Sequence, residues 1–99
     1  MIIDIKRKQD KITLKVCGRL DTTTAPQLEE ELGDEMNGRK EIILDFTELE
    51  YISSAGLRVL LSVHKTMKKQ GGKLIVRNVN EEVREVFVIT GFSEIMDLE

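Results

Sequence analysis

Two short, uninterrupted apolar runs, at residues 42–44 and 74–76, constrain the fold more than any other feature of this sequence. A continuous apolar run is typical of a strand that is covered on both faces, as in a parallel sheet. Between the runs, apolar residues recur at helical spacing until Gly71-Gly72 ends the pattern. That helical stripe is formed by Leu57, Leu60, Leu61, His64 and Met67. The order strand, helix, strand predicts a right-handed crossover within a parallel sheet.

The flanking segments predict further elements. Residues 11–17 alternate apolar and polar side chains, Ile3 and Ile5 repeat this more weakly, and residues 8–10 are polar. This pattern predicts an antiparallel hairpin. A first helix is expected over residues 24–37, with Gly33 leaving a kink or an early end open. A third helix should begin after Asn80 and end at Gly91, and residues 92–98 should pack back as a short strand.

Length and composition limit the class of protein. The 99 residues fit one domain, residues 1–99, and no apolar run approaches the roughly 18 to 20 residues of a membrane helix. The charged N-terminus is unlike a signal peptide, so the expected location is cytoplasmic. The net charge is −3 with lysines interspersed among acids, which predicts no nucleic-acid partner. Cys17 is the single cysteine and is expected to be a buried packing residue.

The candidate site lies where strands of an α/β sheet end and helices begin. The segments 18–21 and 47–54 occupy such positions, so Asp21 and Ser54 should approach each other if the strands before them are parallel. Ser53 or Ser54 should cap the second helix by accepting a backbone N–H bond. Ser54 is also a candidate phosphorylation site, because a helix N-terminus accommodates a dianion. The dipole contributes only about 0.3 to 1 kcal/mol, so a partner would have to read the phosphate.

Two other site chemistries match the sequence only in part. Ser54 and Gly56 match half of a hydrolase nucleophile elbow, but Ile52 stands where the first glycine is required. The single histidine, His64, lies ten residues along the same helix, about 15 Å away, and is interpreted as a packing residue. An aspartyl receiver with Asp45 as acceptor lacks the acidic pair after the first strand. The sequence therefore favours a non-enzymatic module without a cofactor or metal.

Across nearly its whole length the chain resembles the anti-sigma factor antagonists of the STAS domain family. The resemblance rests on "GRLD" at residues 18–21 followed by Thr24-Ala25, "ILDFTEL" at 43–49, "ISSAGLRVLL" at 52–61 and "GGKLIV" at 71–76. It implies a single-domain STAS-like α/β fold with a mixed sheet, mostly parallel core strands, an N-terminal antiparallel hairpin and three or four helices. Aligned on Gly56-Leu57, Ser54 takes the family's phosphoacceptor position, and Ser53 replaces the usual Asp.

The resemblance further implies partner switching. The unphosphorylated protein would bind an anti-sigma factor that is also a serine kinase, and so free a sigma factor. Phosphorylation of Ser54 would release the protein from the kinase, and a metal-dependent serine phosphatase would remove the phosphate. No membrane partner is expected. The expected partner-binding residues are Asp21, Thr22, Ser53, Ser54, Ala55, Gly56, Leu57 and Arg58. The alternative is a STAS scaffold or small-ligand sensor that does not cycle through phosphate.

Overall fold

The structure, a computed structural model, describes all residues 1–99 and contains one mixed sheet flanked by helices. Five strands follow the order β1-β2-β3-β5-β6, and β4 pairs with β2 outside that path. The strands are β1 (Ile2–Lys8), β2 (Lys11–Leu20), β3 (Glu41–Asp45), β4 (Leu49–Ile52), β5 (Lys73–Arg77) and β6 (Asp97–Leu98). The helices are α1 (Ala25–Glu35), α2 (Ser54–Lys69) and α3 (Glu81–Ile89), with a 3₁₀ turn at Phe92–Glu94.

The predicted hairpin and parallel core are confirmed. β1 and β2 pair antiparallel, whereas β2 with β3 and β3 with β5 pair parallel, so β3 is central. β2 is longer than expected, because the strand continues through Gly18 to Leu20 instead of ending in a loop. A shift of register between Gly18 and Arg19 lets the end of β2 leave β3 and pair with β4.

The core lies between one face of the sheet and the helices. Twenty-two buried side chains from the strands and all three helices form one cluster, with Leu14 of β2 and Leu60 of α2 fully buried. Ile43 and Ile75 are neighbours in register on the opposite face, buried but outside that cluster. The continuous apolar runs therefore are buried on both faces, as predicted.

Two helices differ from the sequence prediction in detail. α1 runs from Ala25 through the exposed Gly33 to Glu35, so it is shorter than 24–37 and does not end at the glycine. On α2 the buried side includes Val63, while Leu61 and His64 are half-buried. The packing side is therefore centred on the positions Gly56, Leu57, Val59, Leu60, Val63 and Met67. None of the helices has the length and apolar character needed to cross a membrane.

The C-terminal segment packs back onto the sheet, as expected. Gly91 adopts a left-handed conformation with φ of 80° and leads into the 3₁₀ turn. β6 then pairs parallel with β5 through Ile75 with Asp97 and Val76 with Leu98. The chain thus ends at the sheet edge opposite β1.

Candidate functional site

The site is organised by β4, a strand that lies within the segment predicted from the sequence to be a loop. β4 has only four residues, and its buried ends, Leu49 and Ile52, flank two exposed positions, so it lacks the alternation of a strand. It pairs parallel with the end of β2, with Leu20 opposite Ile52. The Ser53 N–H donates a hydrogen bond of 2.9 Å to the Leu20 carbonyl. The segments after the two strands therefore start side by side.

This pairing brings Asp21 next to the Ser53-Ser54 turn, because Asp21 follows Leu20 directly. Asp21 Oδ1 accepts hydrogen bonds from the Thr23 hydroxyl at 2.8 Å and from the backbone N–H groups of Thr23 at 3.0 Å and Thr24 at 3.2 Å. These bonds, led by that of the Thr23 hydroxyl, lower the pKa of Asp21. Asp21 thus closes the turn ahead of α1 and stays ionised. Thr22 is exposed at the tip of this turn.

Ser53 and Ser54 differ in position and in exposure at the start of α2. Ser53 occupies the N-cap position of α2 in an extended conformation, but its side chain caps no backbone N–H group. Its Oγ is buried and has no hydrogen-bond partner. The prediction that one of these serines caps the helix by its side chain is therefore wrong. Ser54 is the first residue of the helix and is exposed.

The residues after Ser54 differ in their exposure. Gly56 and Leu57 are buried, Ala55 is half-buried, and Arg58 is exposed one turn beyond Ser54. A Cβ atom on Gly56 would lie 2.7 Å from Leu20 Cγ and 3.0 Å from Ile52 Cγ1. Only glycine lets the start of α2 approach β2 and β4 this closely. Ser54 and Arg58 line one shallow depression, together with Leu57, Leu61, Thr90 and Phe92.

A cationic side chain that no sequence pattern singles out also lies at this end of the sheet. The Arg19 guanidinium lies over the Tyr51 ring, 4.3 Å from its centre. Arg19 Nε is 3.8 Å from Asp21 Oδ2. Arg19 and Tyr51 are direct partners in the β2–β4 register, so recognising β4 in the sequence would have placed them together.

The residues of the alternative chemistries lie in other settings. Asp45 Oδ1 accepts hydrogen bonds from Thr47 and from Asn78 Nδ2 at 3.2 Å. Burial alone would raise the pKa of Asp45, but these bonds outweigh it and lower the pKa. Asp45 therefore holds two loops together. No group of three or more His, Cys, Asp or Glu side chains is placed to hold a metal ion.

Cys17 is half-buried, so its assignment as a buried packing residue is wrong. Alternation along β2 places the buried Val16 towards the helices and turns Cys17 to the other face. There its Sγ lies 3.6 Å from Glu48 Oε2, and Glu48 pairs with Lys15 at 3.0 Å. Burial, and then the Glu48 carboxylate, raise the pKa of the Cys17 thiol.

The sequence of this chain is similar to those of known proteins over nearly its whole length. Residues 3–99 match the sequence model of the STAS domain. The chain is 31% identical over 96 residues to the anti-sigma-B factor antagonist of Bacillus subtilis strain 168, covering 97% of this chain and 88% of that protein. It is 42% identical over 96 residues to BtrV of Bordetella bronchiseptica, covering 92% and 83% of the two chains.

Solved structures share the fold. The crystal structure of TM1081 from Thermotoga maritima superimposes with a TM-score of 0.91 at 26% identity, covering 97% of this chain and 84% of that one. The anti-sigma factor antagonist SpoIIAA in its unphosphorylated form gives 0.80 at 18% identity, covering 99% and 87%. SpoIIAA of Bacillus in its phosphorylated form gives 0.78 at 19% identity, covering 99% and 91%.

Proposed function

This chain belongs to the STAS domain family, and we propose that it is an anti-sigma factor antagonist controlled by phosphorylation of Ser54. In its unphosphorylated form it binds an anti-sigma factor that is also a serine kinase, and so frees a sigma factor. The observation that carries the proposal is the exposed Ser54 hydroxyl at the first position of α2. A kinase can reach this hydroxyl without unfolding the domain.

The start of α2 is suited to carry a phosphate. The first backbone hydrogen bond of this turn runs from Leu57 N–H to the Ser53 carbonyl, at 3.0 Å, and no side chain caps the helix. N–H groups at the start of a helix favour an anion. No acidic residue lies in the first turn to compete with it. A phosphoryl group on Ser54 would therefore meet a favourable local environment.

The phosphate acts on the partner and leaves the fold in place. Its interaction with the helix dipole is about 0.3 to 1 kcal/mol, small beside a domain stability of roughly 5 to 15 kcal/mol. At an interface, two like charges about 6 Å apart repel by roughly 2.8 kcal/mol at an effective dielectric constant near 20. That energy is about a hundredfold in affinity. One phosphate can therefore release the chain from an acidic surface.

The residues around Ser54 divide into presenting and shaping groups. Ser54, Thr22 and Arg58 are exposed and would touch the partner, with Asp21 and Ala55 at the margin. The buried Gly56 and Leu57 would act by setting the position of the turn. Ser53 contributes its backbone bond to Leu20. A metal-dependent phosphatase would reset the switch in the cytoplasm, and ATP and the metal belong to those enzymes.

The proposal is tested by phosphate mapping. The chain is incubated with ATP and each anti-sigma factor kinase of its own cell, and modified residues are located by mass spectrometry. Phosphate on Ser54, absent from Ser54→Ala, is expected. An active cognate kinase that leaves Ser54 unmodified would refute the switch. That outcome would favour the scaffold or ligand-sensing alternative, for which the replacement of the family's usual Asp by Ser53 is the supporting observation.

A further inference from the structure

Arg19 and Tyr51 form a preorganised cationic pair at the carboxyl end of the sheet. The two residues are opposite each other in the β2–β4 register, with the guanidinium 4.3 Å from the ring centre. The Arg19 side chain is 60% exposed, and Tyr51 is 40% exposed. The stacking restricts a flexible side chain, so less conformational entropy remains to be lost when a ligand binds.

The guanidinium still has free donors. Its only ion-pair contact within the chain is that of Nε with Asp21 Oδ2, at 3.8 Å. Neither terminal nitrogen donates a hydrogen bond within the chain, so both keep N–H donors for a ligand. A planar fork of two N–H donors matches the two oxygens of a carboxylate.

The Arg19–Tyr51 pair lies next to the Ser53-Ser54 turn. Arg19 precedes Leu20, whose carbonyl accepts the Ser53 N–H bond at 2.9 Å, and Tyr51 is two residues before Ser53. A protein that covers Ser54 would therefore also lie close to Arg19. Arginine and tyrosine are among the residue types that most often dominate binding energy at protein interfaces.

We propose that Arg19, held in place by Tyr51 and Asp21, is a recognition residue that binds a carboxylate side chain of the kinase docked on the Ser54 turn. This inference rests on the proposed function and adds the chemistry of the partner surface. The contact depends on charge and on the planar fork together. It orients the acceptor serine and makes complex formation sensitive to salt.

The test measures the dissociation constant for the purified anti-sigma factor kinase that phosphorylates Ser54. All variants carry Ser54→Ala and are measured without ATP, so any phosphoryl group is excluded as the counterion of Arg19. Arg19→Glu is compared with Lys8→Glu, which makes the same charge change at the other end of the hairpin, about 25 Å away at 3.3 Å per residue. Lys8 pairs with Lys11 at the start of β2. Thermal unfolding verifies that each variant is folded.

We expect Arg19→Glu to weaken binding about tenfold or more and Lys8→Glu to change it less than about twofold. Arg19→Lys should lose part of the affinity, because it keeps the charge and loses the fork. Tyr51→Leu removes the ring under the guanidinium and should also weaken binding.

Equal effects of Arg19→Glu and Lys8→Glu, or full affinity of folded Arg19→Glu, would overturn the inference while leaving phosphorylation of Ser54 intact. A wild-type chain that neither binds the kinase nor receives phosphate would overturn the proposed function and this inference together.

Discussion

Gly56 at the start of α2 packs directly against Leu20 at the end of β2, so closely that a Cβ atom on Gly56 would lie 2.7 Å from Leu20 Cγ. This contact fixes where the helix begins relative to the sheet. It therefore fixes where Ser54 is presented. Gly56, which the family resemblance predicts to be a partner-binding residue, therefore has a packing role in the structure.

Gly56→Ala should lower the thermal unfolding midpoint by several degrees, because the added methyl group meets the fully buried Leu20. The matched control is Gly33→Ala in α1, where nothing lies within 4 Å of the added Cβ. There alanine should stabilise the helix by about 0.5 to 1 kcal/mol. Calorimetry of both variants measures the effect, and equal shifts in the two would contradict the packing role of Gly56.

Ser53→Ala should leave the stability unchanged or raise it slightly. The Ser53 Oγ is buried without a partner, so its removal loses no hydrogen bond. Asn80→Ala is the contrasting variant, because Asn80 Oδ1 accepts the Val83 N–H bond at 2.8 Å and caps α3. Losing that cap should cost about 0.5 to 2 kcal/mol. Urea unfolding of both variants would disprove the assignment if Ser53→Ala lost as much stability as Asn80→Ala.

Ser54→Asp should weaken binding to the anti-sigma factor kinase by roughly tenfold to a hundredfold through charge repulsion. The thermal midpoint should stay within a few degrees, because an acid at the start of a helix interacts favourably with the dipole. Ser54→Asn, of nearly equal size and without charge, is the control and should bind more tightly than Ser54→Asp. Calorimetric titration measures both affinities. If the two variants bound alike, charge would not be the signal that the partner reads.

Asp21 should make the stability of the domain depend on pH in the acidic range. Its lowered pKa arises from hydrogen bonds to the ionised carboxylate, led by that of the Thr23 hydroxyl. The stabilisation is therefore fully present above the ordinary Asp pKa of about 3.9 and is lost as the pH falls through the lower folded-state value. Asp21→Asn keeps an acceptor oxygen without the charge, so wild type should be the more stable protein at pH 7, with the gap closing on acidification.

Urea midpoints measured from pH 7 to pH 2 test this dependence on Asp21. Asp21→Ala is the control, because it removes the acceptor as well, and its deficit should persist in acid. A gap between wild type and Asp21→Asn that stayed constant or widened at low pH would exclude an ionised Asp21 as the source of the stabilisation.

The Cys17 thiol should react slowly with a disulfide reagent near neutral pH, because its raised pKa keeps the thiolate fraction small. Glu48→Gln removes the neighbouring carboxylate and should accelerate the reaction. Lys15→Gln removes a cation that lowers the pKa of Cys17 and should slow it. Labelling rates measured across pH 7 to 10 distinguish these effects. The same rate in all three proteins would show that access alone limits the reaction.

The sequence predicted the elements whose side chains follow a clear period. The alternation in residues 11–17, the helical stripe around Leu60 and the apolar runs near Leu44 and Val76 placed β2, α2, β3 and β5. β4 was not predicted, because its four residues have a buried position at each end and do not alternate as a strand does. The pairing of β4 with β2 requires a register shift between Gly18 and Arg19, and no local sequence pattern predicts that shift.

What the sequence determined by itself is the α/β class, the parallel order of the core strands and the placement of Ser54 at the start of a helix. These follow from local spacing of apolar residues and from which residues begin and end helices. The tertiary structure decided that Ser53 is buried without capping, that Gly56 must lack a side chain and that Arg19 stacks on Tyr51. Those properties depend on distances between β2, β4 and α2, which long-range pairing sets and local sequence does not encode.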